Sequence, residues 1–423
     1  MLRWLDERLY LRRFYDKFLR KAFPVHHSFF LGEITLFAFV TLVLTGIFLS
    51  INFEPSIRII QAGTEKLPAA YASVRFIDSL PFGKVIRSIH HWAANVMIAA
   101  AFLHMLRILV TGAYKKPREI NWIIGIALLG FSIFAAFTGY SLPFDAFSAT
   151  ATKIGYNIAS SLPIIGHWFA GVFFGGEFPT EHSLPRLNAI HILWLPLLLG
   201  VLIVGHVLIM YLQKHTQPKY AEKVAPGKIL GVPFWPQQAL IMAVLFSLFV
   251  GLVAILASVF IANPIEVFGP PGPSTPEVKP EWYFLWIYGF LQMIPADWNF
   301  SFLGIEIGPQ FLGLVVPILV VLLGLVFPFL DASRKKQRYL ELPSQYPWRT
   351  GAAVGVVGFF MASTLVAYRN DLGIGVLLSW LLVVGTPAVF TVLTYGLVRL
   401  AYGPKQRVPE RPLPPSGRAR KSA

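Results

Sequence analysis

The chain contains no cysteine. That excludes disulfides, iron–sulfur ligation by thiolates and thioether attachment of a cofactor, so metal chemistry here has to rest on histidine. Charge is also scarce: Asp, Glu, Lys and Arg make up 13% of 423 residues, against 55% hydrophobic. A soluble core of this size could not hide so much apolar surface, and the chain therefore belongs in lipid. Beyond His215 there is no histidine either, which confines any histidine chemistry to the first half.

What is present is a series of long apolar runs. A hydrocarbon layer of about 30 Å takes about 20 residues per helical crossing, and eight runs qualify: 29–51, 90–112, 121–140, 187–212, 237–262, 311–330, 351–367 and 374–400. The expected fold class is an all-α membrane protein with eight transmembrane helices. No short apolar stretch with a small-residue cleavage site precedes the first run, so that span is expected to direct insertion itself. A net charge of +15 would suit a nucleic-acid binder if the chain were soluble. With the N-terminus cytoplasmic, however, 27 of the 36 Lys and Arg fall on the cytoplasmic side and 12 of the 21 acids on the other. The positive-inside rule then places both termini in the cytoplasm. Topology accounts for the basic charge, and nucleic acid drops out as a partner.

Residues 1–28 form an N-terminal segment in which 2–22 alternate apolar and basic residues at helical spacing, as an amphipathic helix lying on the cytoplasmic face does. Residues 29–215 hold the histidine-bearing spans, 216–402 the remaining four, and 403–423 a Pro-, Arg- and Lys-rich tail expected to be disordered. Two outside loops, 141–186 and 263–310, are longer than connectors need to be and are candidates for function.

Five histidines lie in or at the ends of spans, where ionisable side chains are costly. His90 and His104 are 14 residues apart, which at about 100° per residue leaves them about 40° out of phase and about 21 Å apart along the axis. His91 is about 140° away from His104 and points elsewhere. His191 and His206 repeat the device, 15 residues, about 60° and about 22 Å apart. One such histidine alone is more often a packed or proton-relaying residue. Four in this geometry make two facing pairs, His90 with His191 near the outside and His104 with His206 near the cytoplasm. Neutral imidazoles so placed suit the axial positions of two non-covalent haems in a bundle formed by the first four helices. Gly32 and Gly46, and again Gly125 and Gly139, are also 14 apart, as if side-chain-free backbone lay beside each haem. Arg87 and Arg107 sit one turn outward from His90 and His104, where carboxylates of a cofactor would leave the bilayer; interfacial snorkelling is the ordinary alternative.

The second outside loop carries Pro280-Glu281-Trp282-Tyr283. A carboxylate among aromatics has a raised pKa and can take a proton from a bound hydroquinone, although a solvated loop glutamate is the simpler reading of these four residues alone. Together with RSIHHW at 87–92, LHMLRILVTGAYKKPREINW at 103–122, GYSLPFD at 139–145 and RLNAIH at 186–191, the motif closely resembles the cytochrome b family of quinol:cytochrome c (or plastocyanin) oxidoreductases. The resemblance runs from about residue 2 to 400. The 15-residue histidine step and the TGAYKKPRE run are similar to the photosynthetic branch, whereas the fused halves and the eighth span are as in the respiratory branch. Where the photosynthetic branch has a haem-attaching cysteine, this chain has Phe30. The Trp usual after GYSLP is Phe144, and an aromatic pair a few residues later is Ala149 and Thr150.

What the resemblance implies is a bacterial inner-membrane subunit that oxidises quinol outside. One electron passes to a Rieske iron–sulfur partner and one to the b haems, a c-type cytochrome takes part, and the complex is a homodimer in lipid. It adds Arg186 as a haem-side residue and Tyr140, Pro143 and Pro280 as neighbours of the outer quinol, with Glu281 and Tyr283 carrying the chemistry beside Trp282. For an inner quinone site, Glu33, Lys228 and His26 lie near the right surface. Two rivals stand beside this reading. A di-haem anchor of a dehydrogenase would lack a Rieske partner, and a proton-coupled transporter with histidine relays would show no haem absorption.

Overall fold

A computed structural model describes residues 2–24, 26–224, 226–272, 278–331 and 336–403. Among them are eight helices long and apolar enough to cross a membrane: α1 Phe30–Asn52, α2 Gly83–Val110, α3 Glu119–Ser141, α4 Ser183–Gln213, α5 Phe234–Val259, α6 Pro309–Leu330, α7 Pro347–Val366 and α8 Val376–Tyr402. The all-α membrane class is thus borne out; the strands among the described residues form three two-stranded antiparallel pairings, two of them hairpins and the third joining Ala22–Phe23 to Val232–Pro233.

Two helices differ from their expected course in ways that matter for the histidines. The α2 helix begins at Gly83, seven residues before the expected 90, so His90 is anchored by two preceding turns. In α4 the turn Ile190–Trp194 is a π-helix. A π turn takes up one extra residue, so the 15-residue step of α4 turns its side chains nearly as far as the 14-residue step of α2 does. The residual phase difference that the sequence predicts is thereby reduced.

The α1 helix packs along α2, α2 also meets α3 and α5, and α3 packs with α4. In the other half α7 and α8 form the closest pair. Gly351, Gly355 and Gly358 make this possible, since a Cβ on any of them would collide with Thr391 or Phe390. Threonines inside the spans spend their hydroxyl protons on carbonyls one turn back, as with Thr41 on Phe37 at 2.9 Å and Thr45 on Thr41 at 2.7 Å. Lipid offers no other acceptor.

The two long loops, which share the end of the bundle expected to be outside, are folded over their described residues. Helices Ala146–Ser160 and Gly166–Phe174 close over a core of Leu142, Phe144, Phe174, Phe178, Leu184 and Leu187. The first of these helices is capped by Asp145, which accepts from the Ser148 N–H at 2.7 Å. Residues Trp282–Met293 form a further helix against α6 and α7. At the opposite end of the bundle Lys115 reaches Glu341 at 3.3 Å and Asp331 at 3.4 Å, Arg349 pairs with Glu341 and Tyr114 with Asp331. These contacts tie the α2–α3 turn to the α6–α7 connection.

The N-terminal segment is helical over Leu2–Leu9 and Leu11–Phe14 and continues as a π turn to Leu19. It is not one helix over 2–22, because Tyr10 adopts a left-handed backbone with φ 51°. Apart from Gly403, the basic tail lies outside the described residues.

Candidate functional site

The outer histidines face each other as the helical phases require. The rings of His90 and His191 are 6.2 Å apart between centroids and inclined at 69°. Two metal–imidazole bonds of about 2 Å each, with half a ring on either side, span about that distance. Their Nδ1 atoms are occupied. The Thr45 hydroxyl, its proton committed to Thr41, accepts from His90 Nδ1–H at 2.9 Å. His191 Nδ1–H donates to the Ala135 carbonyl at 3.0 Å, with Thr138 Oγ1 at 3.2 Å. Both imidazoles are therefore held as the tautomer whose Nε2 carries a free lone pair, which is how metal-ligating histidines are oriented.

All four singled-out glycines touch these rings. A Cβ on Gly46 would lie 3.3 Å from His90, on Gly32 3.1 Å from His104, on Gly139 2.6 Å from His191 and on Gly125 3.7 Å from His206. The 14-residue glycine spacing is thus the image of the histidine spacing on the neighbouring helix. At the other pair, His104 Nδ1 and His206 Nδ1 are both buried without a hydrogen-bond partner among the described residues. Among the described residues no three His, Asp or Glu side chains converge as a side-chain metal cage would need. The donor set instead suits iron that arrives in a macrocycle and needs two axial nitrogens.

A cavity of about 350 Å³ opens from the outer pair. His90, His191, Gly46 and Gly139 line one part, and Tyr140, Pro143, Asn263, Phe268 and Tyr283 another. Glu281 precedes the helix Trp282–Met293, and its Oε1 accepts from Asn263 Nδ2 at 3.2 Å and lies 3.7 Å from His91 Nε2. His91, turned away from His90's partner as expected, thus faces the glutamate. Trp282 Nε1 donates to Asn95 Oδ1 at 2.6 Å. Tyr283 is buried, and burial first, then the Glu281 carboxylate and Tyr140, push its phenol well above the ordinary range, so it stays a hydrogen-bond donor. Pro280 leads into this turn and is half-buried.

The arginines are engaged with protein groups. Arg87 lines the cavity, but its guanidinium is held by Asp78 through bonds of 2.7 and 2.6 Å and donates to the Asn263 carbonyl at 3.0 Å. Arg107 donates to Ser28 Oγ at 3.1 Å and lies over the Phe29 ring. Arg186 donates to the Gly171 and Val172 carbonyls, which ties α4 to the helix Gly166–Phe174 outside the cavity lining.

At the end of the bundle away from the long loops Glu33 accepts from Gln238 at 3.1 Å through one oxygen, while the other is buried and has no partner among the described residues. His26 Nδ1 is 2.8 Å from Ser28 Oγ. Lys228 is exposed, and its carbonyl accepts from Gln217. Sequence reasoning passed over His215, which packs against Phe23 and Phe29; burial, with Lys21, Arg118 and Arg107 nearby, pushes its pKa down to about 4. It also passed over Asn263, Asn95 and the facing of His91 to Glu281. No spacing rule links these residues, since a loop brings them together.

Eight helices of membrane length, with one facing histidine pair prepared for a metal and a second buried pair further along the same helices, are features of membrane cytochromes of the b type. Residues 95–270 match the family model described as cytochrome b (N-terminal)/b6/petB, and 271–379 the one described as cytochrome b (C-terminal)/b6/petD. The cytochrome bc1 complex cytochrome b subunit of Streptomyces coelicolor is 34% identical over 391 residues, covering 87% of this chain and 70% of that protein. The same subunit of Corynebacterium efficiens is 33% identical over 417 residues, covering 93% and 76%, and that of Mycobacterium leprae 34% over 373 residues, covering 84% and 66%. A solved structure described as hyperthermophilic respiratory complex III superimposes with a TM-score of 0.68 and 25% identity over 94% of this chain and 100% of that one. The chain belongs to the cytochrome b family of the cytochrome bc1 complexes, quinol:cytochrome c oxidoreductases whose cofactor is haem b.

Proposed function

We propose that this subunit oxidises quinol in the cavity below the Pro280–Tyr283 turn and reduces quinone near the cytoplasmic face, within a homodimeric complex that includes a Rieske protein and a c-type cytochrome. The supporting observation is that His90 and His191 line the same cavity as Tyr140, Pro143 and Tyr283. His90 with His191 and His104 with His206 would hold two non-covalent haems, residues 29–215 forming the haem half and 216–402 the half that carries the quinol loop. Bound there, the haems would supply one-electron redox chemistry, the acceptor that two-electron quinol oxidation needs beside the Rieske partner.

The chain's own groups handle the protons. Glu281 Oε1, placed by Asn263 and facing His91, accepts a hydroquinone proton at the outer end. Tyr283 stays protonated and bounds the ring pocket with Tyr140 and Pro143. Protons leave outside, and Glu33, His26 and Lys228, with His215 added, stand at the surface where quinone takes protons from the cytoplasm. With both termini cytoplasmic, this sidedness contributes to proton translocation.

Glu281→Gln keeps size and polarity but cannot ionise. It is expected to slow quinol oxidation by the assembled complex about ten- to a thousandfold, with haem content unchanged and haem reduction from the cytoplasmic side near normal. Wild-type turnover across the pH range would return Glu281 to the role of a solvated loop residue.

A further inference from the structure

Between the helix Trp282–Met293 and α6 the chain forms a small hairpin on the outer side. Phe300–Phe302 pairs antiparallel with Ile305–Ile307, and the two strands form a sheet of their own. A two-stranded hairpin of this size is marginal in water, and this one turns apolar groups outward. Trp298 is 48% exposed, Phe300 54% and Leu303, at the tip, 86%. The Trp298 and Phe300 rings meet edge-on at 6.3 Å. Residues 298–305 carry no charged side chain, while Asp297 and Glu306 at the base are both exposed.

The tip adds an independent observation. Leu303 and Gly304 have φ of 50° and 79°, both positive, as at the centre of a two-residue hairpin turn that ordinarily takes Asn or Asp before Gly. Leucine is strained in a left-handed backbone, and in water asparagine would serve both the backbone and the solvent better. A leucine at this place makes physical sense when an apolar phase receives its side chain. Position supplies that phase. Only Gly308 separates the hairpin from Pro309, where α6 begins, so the hairpin base lies within about 7 Å of chain from a membrane helix. The headgroup layer extends about 5–7 Å beyond the hydrocarbon, and Trp is the residue enriched there.

We propose that the hairpin is a membrane-interface anchor whose ligand is the outer-leaflet lipid, with Trp298, Phe300 and Leu303 inserted at the headgroup–acyl boundary and Asp297 and Glu306 in water. It holds α6 at a constant depth, and with it the helix Trp282–Met293 that packs on α6 and follows Glu281. The inference rests on the membrane position of α6 and not on the quinol chemistry.

The absence of cysteine from the chain makes the test direct. Leu303→Cys, Phe300→Cys and Glu306→Cys are spin-labelled one at a time in the complete complex in phospholipid nanodiscs, with the signal of the labelled unsubstituted complex subtracted. Collision rates with molecular oxygen and with a water-soluble nickel chelate report the surroundings of each label. Oxygen is expected to exceed nickel several-fold at 303 and 300, and nickel to exceed oxygen at 306. Nickel dominance at 303 would mean a tip in water, and low rates for both at 303 and 300 would mean cover by a partner subunit or a second copy; either result overturns the proposal. Leu303→Asn gives an opposite-signed check, lowering the thermal stability of the nanodisc-embedded complex if the tip is in lipid and raising it if the tip is in water.

Discussion

The outer histidine pair, beside the long loops, and the inner pair, at the other end of the bundle, occupy equivalent places on the same helices, yet they are built differently. The outer pair is fully prepared: Thr45, Ala135 and Thr138 engage both Nδ1 atoms, and Gly139 lies so close to His191 that a Cβ there would force the ring to shift. At the inner pair both Nδ1 atoms are without a hydrogen-bond partner among the described residues, and Gly125 stands at ordinary contact distance from His206. The difference follows the neighbourhood. The outer pair shares its cavity with Tyr140, Pro143 and Tyr283, where, on the proposed function, a misplaced ring would disturb a second reactant. Preorganisation is concentrated where two sites share one space.

The largest effect should come from the ligands themselves. His104→Ala or His206→Ala is expected to lower pyridine-haemochrome content from two haems per chain to one, with the outer haem retained, whereas His91→Ala keeps both. Loss of a haem in His91→Ala with retention in His90→Ala would break the face assignment on α2. A smaller effect separates the two glycine contacts. Gly139→Ala puts a Cβ 2.6 Å from His191 and should cost about 10- to 100-fold in outer-haem retention, while Gly125→Ala, at 3.7 Å, leaves the inner haem in place. Equal losses in haem-release assays would mean that the two ends are packed alike. The smallest effect is expected for Thr45→Val, which removes the acceptor of His90 Nδ1–H. Outer-haem retention should fall about tenfold, the low end of such outer-shell effects. The outer midpoint potential should rise and the inner stay constant in a redox titration.

Much of the haem half was legible beforehand because helices repeat. A period of 3.6 residues converts the His90–His104 interval into a shared face and two depths, and the same period explains why glycines on α1 and α3 recur at the histidine interval. The π turn at Ile190–Trp194 was not legible, since the choice between α and π turns depends on what packs around the ligand. The break at Tyr10 escaped the helical pattern for a related reason, a left-handed residue leaving no trace in apolar periodicity. At the outer site Glu281 and Tyr283 stood out through a short motif. Their partners Asn263, Asn95 and His91 are separated from it by 18 to 190 positions and meet it only because the loop after α5 closes onto α2.

By itself the amino-acid sequence determined the eight crossings, the two levels of histidine pairing and the family. Lipid leaves the backbone no option but helix, and a helix makes side-chain direction a function of residue number. Only the tertiary structure decided which polar groups complete His90 and His191, that Arg87 is held by Asp78 and Asn263, that Glu281 faces His91, and that one cavity joins the outer pair to Tyr140 and Tyr283. Those contacts lie between elements, where distance along the chain carries no information about distance in space.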